Sequence, residues 1–287
     1  MSFRKIRVGD GVRDLNQVLS QLIDFATKND NIRGLVLQGS FVNSKAPIDK
    51  FSDLDPLFYC NNVDDFILDF EWKKEFGEVI SYFHDDWEMH EGLRGYTRLS
   101  IFKDGLKIDF GFQDIALAKY ANDMNLYKIL IDKDKVIPAP SVTDDSKFFV
   151  KKPLNLEFQS ILNNFFFDSS YVVKTIFRDE VTFNQYMIGI LHKSITQLAI
   201  WYVGAQHEYK VNLGIQGRYL KKYLTEDEYL MLKETYPGSD YVAVKNALFK
   251  SYEIVRYFGI YIANNLGYEY PTKYDEEMFN YCTEMLK

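Results

Sequence analysis

A short segment in which apolar and acidic residues alternate constrains the fold of this chain most. In residues 52–59, a period of two puts Asp53 and Asp55 on one face and Leu54 and Phe58 on the other. Such alternation is typical of a β-strand that buries one face. We therefore predict that both carboxylates point away from the core.

A second segment, residues 107–112, repeats the pattern with a single acid. Asp109 points to one side of this predicted strand. The opposite side is apolar throughout and consists of Ile108, Phe110 and Phe112. If the two strands are neighbours, Asp109 converges with Asp53 and Asp55.

Three converging carboxylates call for a bound cation. Two carboxylates about 4 Å apart repel by roughly 4 kcal/mol at an effective dielectric constant near 20. Mg²⁺ removes that penalty, and it prefers oxygen ligands from a few carboxylates, from water and from substrate phosphate. We therefore predict Mg²⁺-dependent nucleotidyl transfer, with Asp53, Asp55 and Asp109 as the metal ligands and catalytic acids.

A Gly-Ser pair upstream of the acids supports this prediction. The apolar run 32–38 has strand character and ends at Gly39-Ser40. Glycine lets the backbone approach a phosphate closely, and the amides and the Ser40 hydroxyl can donate hydrogen bonds to phosphate oxygens. A second Asp-x-Asp at 132–134 has no Gly-Ser strand end before it, and we interpret it as a solvated turn.

Composition excludes several classes of function. The formal net charge of −7 has the wrong sign for a protein that mainly binds nucleic acid, and it is compatible with a cationic small-molecule acceptor. No stretch approaches the roughly 20 apolar residues of a membrane span. Two cysteines, Cys60 and Cys282, fit a reducing compartment. We expect a cytoplasmic protein without a nucleic-acid or membrane partner.

The periodicity changes along the chain and predicts two domains in an α+β fold. Residues 1–147 mix helical and strand patterns around a mixed sheet, whereas residues 148–287 have helical periodicity. The charged and proline-containing stretch 144–153 separates the two. The first part is predicted to contain a helix over 12–28, a strand over 32–38, a helix over 63–76, a hairpin over 96–112 and a helix from 115.

The second part is predicted to be a helix bundle. Thr225 and Glu228 have the spacing of a capping box, which marks the start of one helix. Large aromatic residues crowd this half and are mostly expected to fill the core. Helices are predicted over 156–167, 171–177, 183–203, 219–224, 226–236 and 241–266.

The ordered motifs of this chain are similar to those of the aminoglycoside 6-adenylyltransferases, also called streptomycin adenylyltransferases. The resemblance extends over nearly the whole chain, and the set is more specific than any one motif. It rests on Gly39-Ser40, Ala46-Pro47, Phe51–Asp55, Lys107–Asp109, Ile129–Asp134, Lys151–Pro153, Tyr171–Lys174, Phe183–Gln185 and Trp201–Gly204.

This resemblance implies a polymerase-β-like nucleotidyltransferase domain in 1–147 and a helical acceptor-binding domain in 148–287. It also implies transfer of AMP from MgATP to a hydroxyl of a cationic aminocyclitol antibiotic, which confers resistance. Gly39 and Ser40 would hold the triphosphate of ATP, and the three aspartates would hold magnesium. Lys174 and Arg178, one helical turn apart, could contact ATP phosphates from the second domain.

The chain departs from the family pattern at three places. Phe41 follows Gly-Ser where a basic residue is usual, and Pro56 follows the second aspartate, which implies a missing ladder hydrogen bond, a sheet edge or a bulge. The long helix that ends at 201–204 lacks the acidic residue expected as a base, and His192 lies in that neighbourhood.

The sequence leaves the proton acceptor open between His192 and Asp109 with its metal, and we favour Asp109. It also leaves open the identity of the acceptor, the base of the nucleotide and the oligomeric state. The alternative to an active enzyme is a nucleotide-binding protein of the same fold with lost or altered acceptor activity.

Overall fold

The computed structural model describes residues 13–89, 92–123 and 126–287. The chain divides into two compact units, Met1–Lys147 and Phe148–Lys287. The described part of the first unit contains a six-stranded sheet with helices, and that of the second is helical. The α+β class predicted from the sequence is confirmed.

The sheet of the first unit places the two acid-bearing strands side by side at its centre. The strand order is β3-β4-β5-β2-β1-β6. β2 and β5 run parallel, and the other neighbouring pairs are antiparallel, so the sheet is mixed as predicted. The strands are β1 (Ile32–Gln38), β2 (Asp55–Cys60), β3 (Val79–Glu88), β4 (Arg94–Phe102), β5 (Lys107–Asp114) and β6 (Tyr127–Asp132).

One apolar face of the sheet is covered by an amphipathic helix, α1 (Leu15–Lys28), which begins at an Asp14 side-chain cap. Residue 12, where the predicted helix began, lies outside the described residues. The alternation predicted for the two acid-bearing segments holds, because their apolar side chains are fully buried in the core beneath α1. These side chains are Leu54, Phe58, Ile108, Phe110 and Phe112.

The helix predicted over 63–76 is wrong as a continuous element. It forms as a short helix, α2 (Asp64–Ile67), and a separate 3₁₀ turn, Glu71–Phe76. The Trp72 indole N–H binds the carbonyl oxygens of Phe66 and Asp69 at 3.1 and 3.0 Å. Because helix continuation would turn those carbonyls along the helix axis, the Trp72 contact stabilises the break. The Trp72 ring then packs edge-on against the β5 aromatic rings.

The helix predicted from residue 115 is a 3₁₀ helix over Ile115–Asp123. The two outer strands, β3 and β6, were not predicted as strands. The sequence of β3 shows little alternation of apolar and polar residues, because β3 lies at the sheet edge and most of its side chains are exposed. The hairpin over 96–112 is confirmed as the antiparallel pair β4–β5.

The second Asp-x-Asp ends β6 and lies in a turn, but its carboxylates bind protein groups. Asp132 accepts hydrogen bonds from the backbone N–H groups of Val136 and Ile137 at 3.1 and 3.0 Å. Asp134 forms an ion pair with Arg33. The predicted solvated turn is therefore a structured turn, in which both carboxylates are bound to protein groups.

Pro56 lies in an interior strand, so the sheet-edge explanation is wrong. The register between β1 and β2 also runs without a shift through Pro56, which excludes a bulge there. Both the N–H and the carbonyl of Leu54 form hydrogen bonds with β5. Since alternate residues of a strand bond to the same neighbour, the backbone nitrogen of Pro56, which has no hydrogen to donate, also faces β5. One ladder hydrogen bond is lost beside the acids.

The second unit is a helix bundle, as predicted. The predicted helices over 156–167 and 171–177 form one continuous helix. Ser169 and Ser170, which lie between the two predicted segments, are helical, and their hydroxyls donate to backbone carbonyls three residues earlier in the same helix. The Thr225 capping box is present. The helices are α3 (Asn155–Phe177), α4 (Val181–Gln206), α5 (Leu220–Tyr223), α6 (Glu226–Glu234), α7 (Tyr241–Leu266) and α8 (Thr272–Met285).

The helix α8 was not predicted, because its sequence is polar and its place in the bundle depends on a distant partner. Asp275 is buried and accepts two 2.8 Å hydrogen bonds from Arg256 on α7. Cys282 of α8 is buried and free, as is Cys60 in β2. Within the described part of the chain, none of the helices has the length and apolar character needed to cross a membrane.

Candidate active site

The position of the acids depends on one short parallel bridge between the segment before β2 and the start of β5. The Leu54 N–H donates to the Lys107 carbonyl at 3.1 Å, and the Asp109 N–H donates to the Leu54 carbonyl at 2.8 Å. Leu54 and Ile108 thus pair directly and bury their side chains together. Because successive side chains alternate, Asp53 and Asp55 must emerge on the face where Asp109 emerges.

The structure brings Asp53, Asp55 and Asp109 together. One carboxylate oxygen from each lies within 4.8 Å of the others, a separation that a shared cation can bridge. Asp55 opens β2 and Asp109 lies in β5, whereas Asp53 precedes β2 by two residues. Oδ1 of Asp109 is buried and accepts no hydrogen bond from any described residue. Three oxygen donors and a buried carboxylate oxygen without a partner fit a hard divalent cation.

Gly39 lies directly against the acid cluster. It begins a 3₁₀ turn, Gly39–Phe41, that follows β1, and its φ of 73° lies in the left-handed region. A Cβ atom at this position would lie 1.9 Å from Oδ2 of Asp55. Only glycine leaves room for the Asp55 carboxylate, so the turn and the cluster belong to one site.

Ser40 carries a second polar group without a partner. Its Oγ atom is buried and forms no hydrogen bond with any residue that the structure describes. A buried hydroxyl without a partner is costly unless something binds it. The hydroxyl lies in the turn next to Gly39, the residue that lies against Asp55.

Lys107 is a site residue that the sequence analysis gave no role. Its Nζ atom lies 2.6 Å from Oδ2 of Asp53 and 2.7 Å from Oδ2 of Asp109. The signal was available, because a period of two puts Lys107 on the same face as Asp109. The ammonium group offsets part of the repulsion within the cluster.

Burial shifts the pKa values of Asp55 and Asp109. Burial, reinforced by the charges of Asp53 and Asp109 and opposed by the charge of Lys107, raises the pKa of Asp55 to about 7. Burial also raises the pKa of Asp109, although the hydrogen bond from Lys107 opposes this. For Lys107, burial lowers the pKa, but the hydrogen bonds to Asp109 and Asp53 outweigh burial and leave the pKa raised.

A cavity of about 600 Å³ lies beside the Gly-Ser turn. Phe41 and Val42, the residues that follow Ser40, form part of its wall, and the start of β6 forms another part. Its lining is largely apolar. The aromatic ring at position 41 therefore contributes to a concave surface that a ligand held by the turn would border.

Lys174 and Arg178, predicted to contact phosphate, belong to the helical unit. Lys174 lies in the last turn of α3, with its Nζ 5.4 Å from the centre of the Tyr171 ring, and Arg178 caps the helix. Both side chains are exposed, and they are one turn apart as predicted. Their role at the phosphates stays a prediction.

His192 is engaged in a structural contact on α4. Its Nε2 atom lies 2.8 Å from the Thr235 carbonyl oxygen, and its ring stacks on Tyr236 with 3.7 Å between ring centres. Since a carbonyl only accepts, Nε2 carries a proton and donates it. Burial lowers the pKa of His192, with the Thr235 contact opposing. Nε2 is therefore the protonated nitrogen of the neutral ring, and the lone pair lies on Nδ1.

Comparison with known proteins gives an independent result. The streptomycin adenylyltransferase family model matches residues 12–285. The aminoglycoside 6-adenylyltransferase of Staphylococcus aureus is 30% identical over 276 residues, 94% of this chain and 98% of that protein. Its namesake from Bacillus subtilis (strain 168) is 29% identical, covering 94% of this chain and 97% of that protein. The sequence similarity thus extends over nearly the whole chain.

A crystal structure of an aminoglycoside 6-adenyltransferase from Bacillus subtilis aligns with 96% of this chain and 99% of that chain. The TM-score is 0.48 and the sequence identity is 24%.

The raised pKa of Asp55 predicts how the stability of the metal-free protein depends on pH. Between the unfolded pKa of 3.8 and the folded pKa of about 7, only the folded state binds the proton, so the free energy of unfolding falls as pH rises. At 1.36 kcal/mol per pKa unit, the penalty above pH 7 is on the order of 4 kcal/mol. We expect Asp55→Asn to be more stable than wild type at pH 8 and to lose most of this dependence.

Urea denaturation in EDTA from pH 5 to pH 8.5 measures the effect. Asp85→Asn, at an exposed acid on edge strand β3, is the matched control and should follow the wild-type curve. An Asp55→Asn protein with the wild-type pH dependence would show that Asp55 does not carry the penalty.

Proposed function

The chain belongs to the streptomycin adenylyltransferase family, and on this basis we propose that it transfers AMP from MgATP to a hydroxyl of a streptomycin-like aminoglycoside, releasing pyrophosphate. The protein is a nucleotidyltransferase by that membership. The observation that carries the finer proposal is the acid cluster in contact with the Gly-Ser turn. The cationic acceptor agrees with the net charge of −7.

Asp53, Asp55 and Asp109 would hold Mg²⁺ in this proposal. When bound, the metal neutralises charge on the triphosphate and on the leaving pyrophosphate. The three carboxylates supply the oxygen ligands, and the buried Oδ1 of Asp109 has no protein donor among the described residues that would compete for it.

The Gly39–Phe41 turn would bind the triphosphate. Gly39 lies against Asp55, and the Ser40 hydroxyl supplies a donor that no described residue uses. Lys174 and Arg178 are proposed as further phosphate contacts, because two exposed cations one turn apart suit an extended anion. Phe41 cannot provide the charged contact that a basic residue would give.

Asp109 is the proposed acceptor of the proton from the acceptor hydroxyl. It belongs to the acid cluster beside the Gly-Ser turn, and burial raises the pKa of its carboxyl in the metal-free protein. The described helix α4 carries no Asp or Glu, and the ring of His192 on that helix is held in a packing contact by the Thr235 carbonyl and the Tyr236 ring. The observations therefore favour the acid cluster over α4 as the source of the base.

Pyrophosphate release from MgATP in the presence of streptomycin tests the function, with other aminoglycosides as alternative acceptors. We expect acceptor-dependent release by the wild type and almost none by Asp53→Asn, which loses one anionic metal ligand. Asp134→Asn is the control, because it removes a carboxylate from the structured Asp-x-Asp after β6. MgATP binding without product across the acceptor panel would instead establish the nucleotide-binding alternative.

Ser40→Ala should weaken the binding of a non-hydrolysable ATP analogue by about 1–2 kcal/mol, the scale of a hydrogen bond to a charged group. The dissociation constant measured by calorimetry with Mg²⁺ is the relevant quantity. Mn²⁺ binding without nucleotide should not change, since Ser40 is assigned to phosphate. An unchanged nucleotide affinity would remove the turn from the phosphate site.

His192→Gln should leave kcat/KM nearly unchanged, whereas Asp109→Asn should abolish turnover. The reason is that Asp109 belongs to the cluster, whereas the His192 ring is packed between the Thr235 carbonyl and Tyr236. Steady-state rates from pH 6 to pH 9 measure both variants. A loss of about 10²–10⁴-fold in a folded His192→Gln protein, the usual effect of removing a general base, would contradict the assignment.

A further inference from the structure

Lys107 binds the same carboxylates that are proposed to hold the metal. Its ammonium group forms hydrogen bonds of 2.6 Å with Asp53 and 2.7 Å with Asp109, each to an Oδ2 atom. The lysine is the first residue of β5, two positions before Asp109. Its side chain thus links the start of β5 to the segment before β2, next to the backbone bridge at Leu54.

These contacts have a consequence for metal binding. An oxygen that accepts a hydrogen bond from an ammonium group has less electron density to offer a metal, and two cations sharing one carboxylate repel each other. The Lys107 side chain is 34% exposed, and it is a flexible chain with a compact charge. The ammonium therefore has room to leave the carboxylates without disturbing the core.

We propose that Lys107 is an exchangeable counter-ion of the acid cluster, displaced from Asp53 and Asp109 when a divalent cation binds. The proposal rests on the proposed function, because it takes the cluster to be the metal site. Lys107 is a positioning residue in this role. It holds the two carboxylates near each other before the metal arrives, and it lowers the metal affinity of the site by competing for them.

The competing description makes Lys107 a permanent scaffold that aligns the carboxylates and stays bound to them. The two descriptions predict opposite signs for one measurement. Removal of an exchangeable competitor tightens metal binding, whereas removal of a scaffold weakens it.

The experiment compares wild type and Lys107→Met by thermal shift titration with Mn²⁺ and with Mg²⁺, without nucleotide. The dissociation constants follow from the rise in stability with metal concentration. The titration is run at pH 8.5, above the pKa of about 7 of Asp55 in the wild type. We expect Lys107→Met to melt below wild type in EDTA, because Asp53 and Asp109 lose their cation. We also expect it to bind metal about three- to tenfold more tightly, the range for two partly exposed ion pairs.

Lys103→Met is the matched control. It makes the same charge change in the turn between β4 and β5, where Lys103 forms an exposed ion pair with Glu78. Its metal affinity should equal that of wild type, which separates local competition from the change in net charge. Lys107→Gln replaces Lys107→Met if the methionine variant does not fold.

Each outcome decides a specific point. Metal binding by Lys107→Met that equals wild type or is weaker overturns the exchange proposal and leaves the metal site intact. An absence of metal-dependent stabilisation in wild type overturns both the metal site and the role of Lys107. Tighter binding in Lys107→Met with an unchanged Lys103→Met control establishes Lys107 as the displaced counter-ion.

Discussion

The arrangement of the site depends on the pair of hydrogen bonds that ties Leu54 to β5. These bonds fix the register of two parallel segments, and the register decides which side chains share a face. A slip of one residue would turn Leu54 toward solvent and the aspartates into the core. The fully buried Leu54 and Ile108 side chains oppose such a slip, so packing on one face enforces the chemistry of the other.

The cost of gathering carboxylates is offset by the rest of the first unit. An apolar core beneath the sheet anchors the strands, and aromatic rings from the 3₁₀ turn at 71–76 pack directly on β5. Lys107 supplies a positive charge at the cluster itself. The residual penalty is concentrated at Asp55, whose carboxylate is the most strongly perturbed of the three. This pattern is typical of a site that gains stability when a cation and a phosphate bind.

Around the acid cluster, the chain has both residues that are expected for its family and residues that depart from the family pattern. The Gly-Ser turn and the three acids are present and adjacent, whereas Phe41 and Pro56 depart from the expected pattern. Pro56 lies in an interior strand and removes a ladder donor next to the cluster. Phe41 extends an apolar cavity next to the turn. The departures therefore lie around the acid cluster and leave its three carboxylates in place.

Sequence predicted elements best where local pattern and tertiary environment agree. The strand over 32–38, the β4–β5 hairpin and the helix over 241–266 have strong apolar periodicity, and each forms as expected. The continuous helix over 63–76 failed because Trp72 binds carbonyls at a break, which periodicity cannot represent. The strands β3 and β6 were not predicted because they lie at the edges of the sheet. The helix α8 was not predicted because its position depends on the ion pair between Asp275 and Arg256 of α7.

The sequence by itself determined that Asp53 and Asp55 share one face of their strand and that Asp109 lies opposite the apolar face of its own strand, because a period of two orders the side chains within each strand. It also placed a Gly-Ser pair at the end of the strand over 32–38. It also determined the change from a mixed to a helical pattern near residue 148. Only the tertiary structure decided that β2 and β5 are parallel neighbours, that Gly39 touches Asp55, and that Lys107 joins two of the acids. Gly39 and Asp55, like Lys107 and Asp53, are separated in the chain, and strand order and side-chain packing, which no local pattern encodes, bring them together.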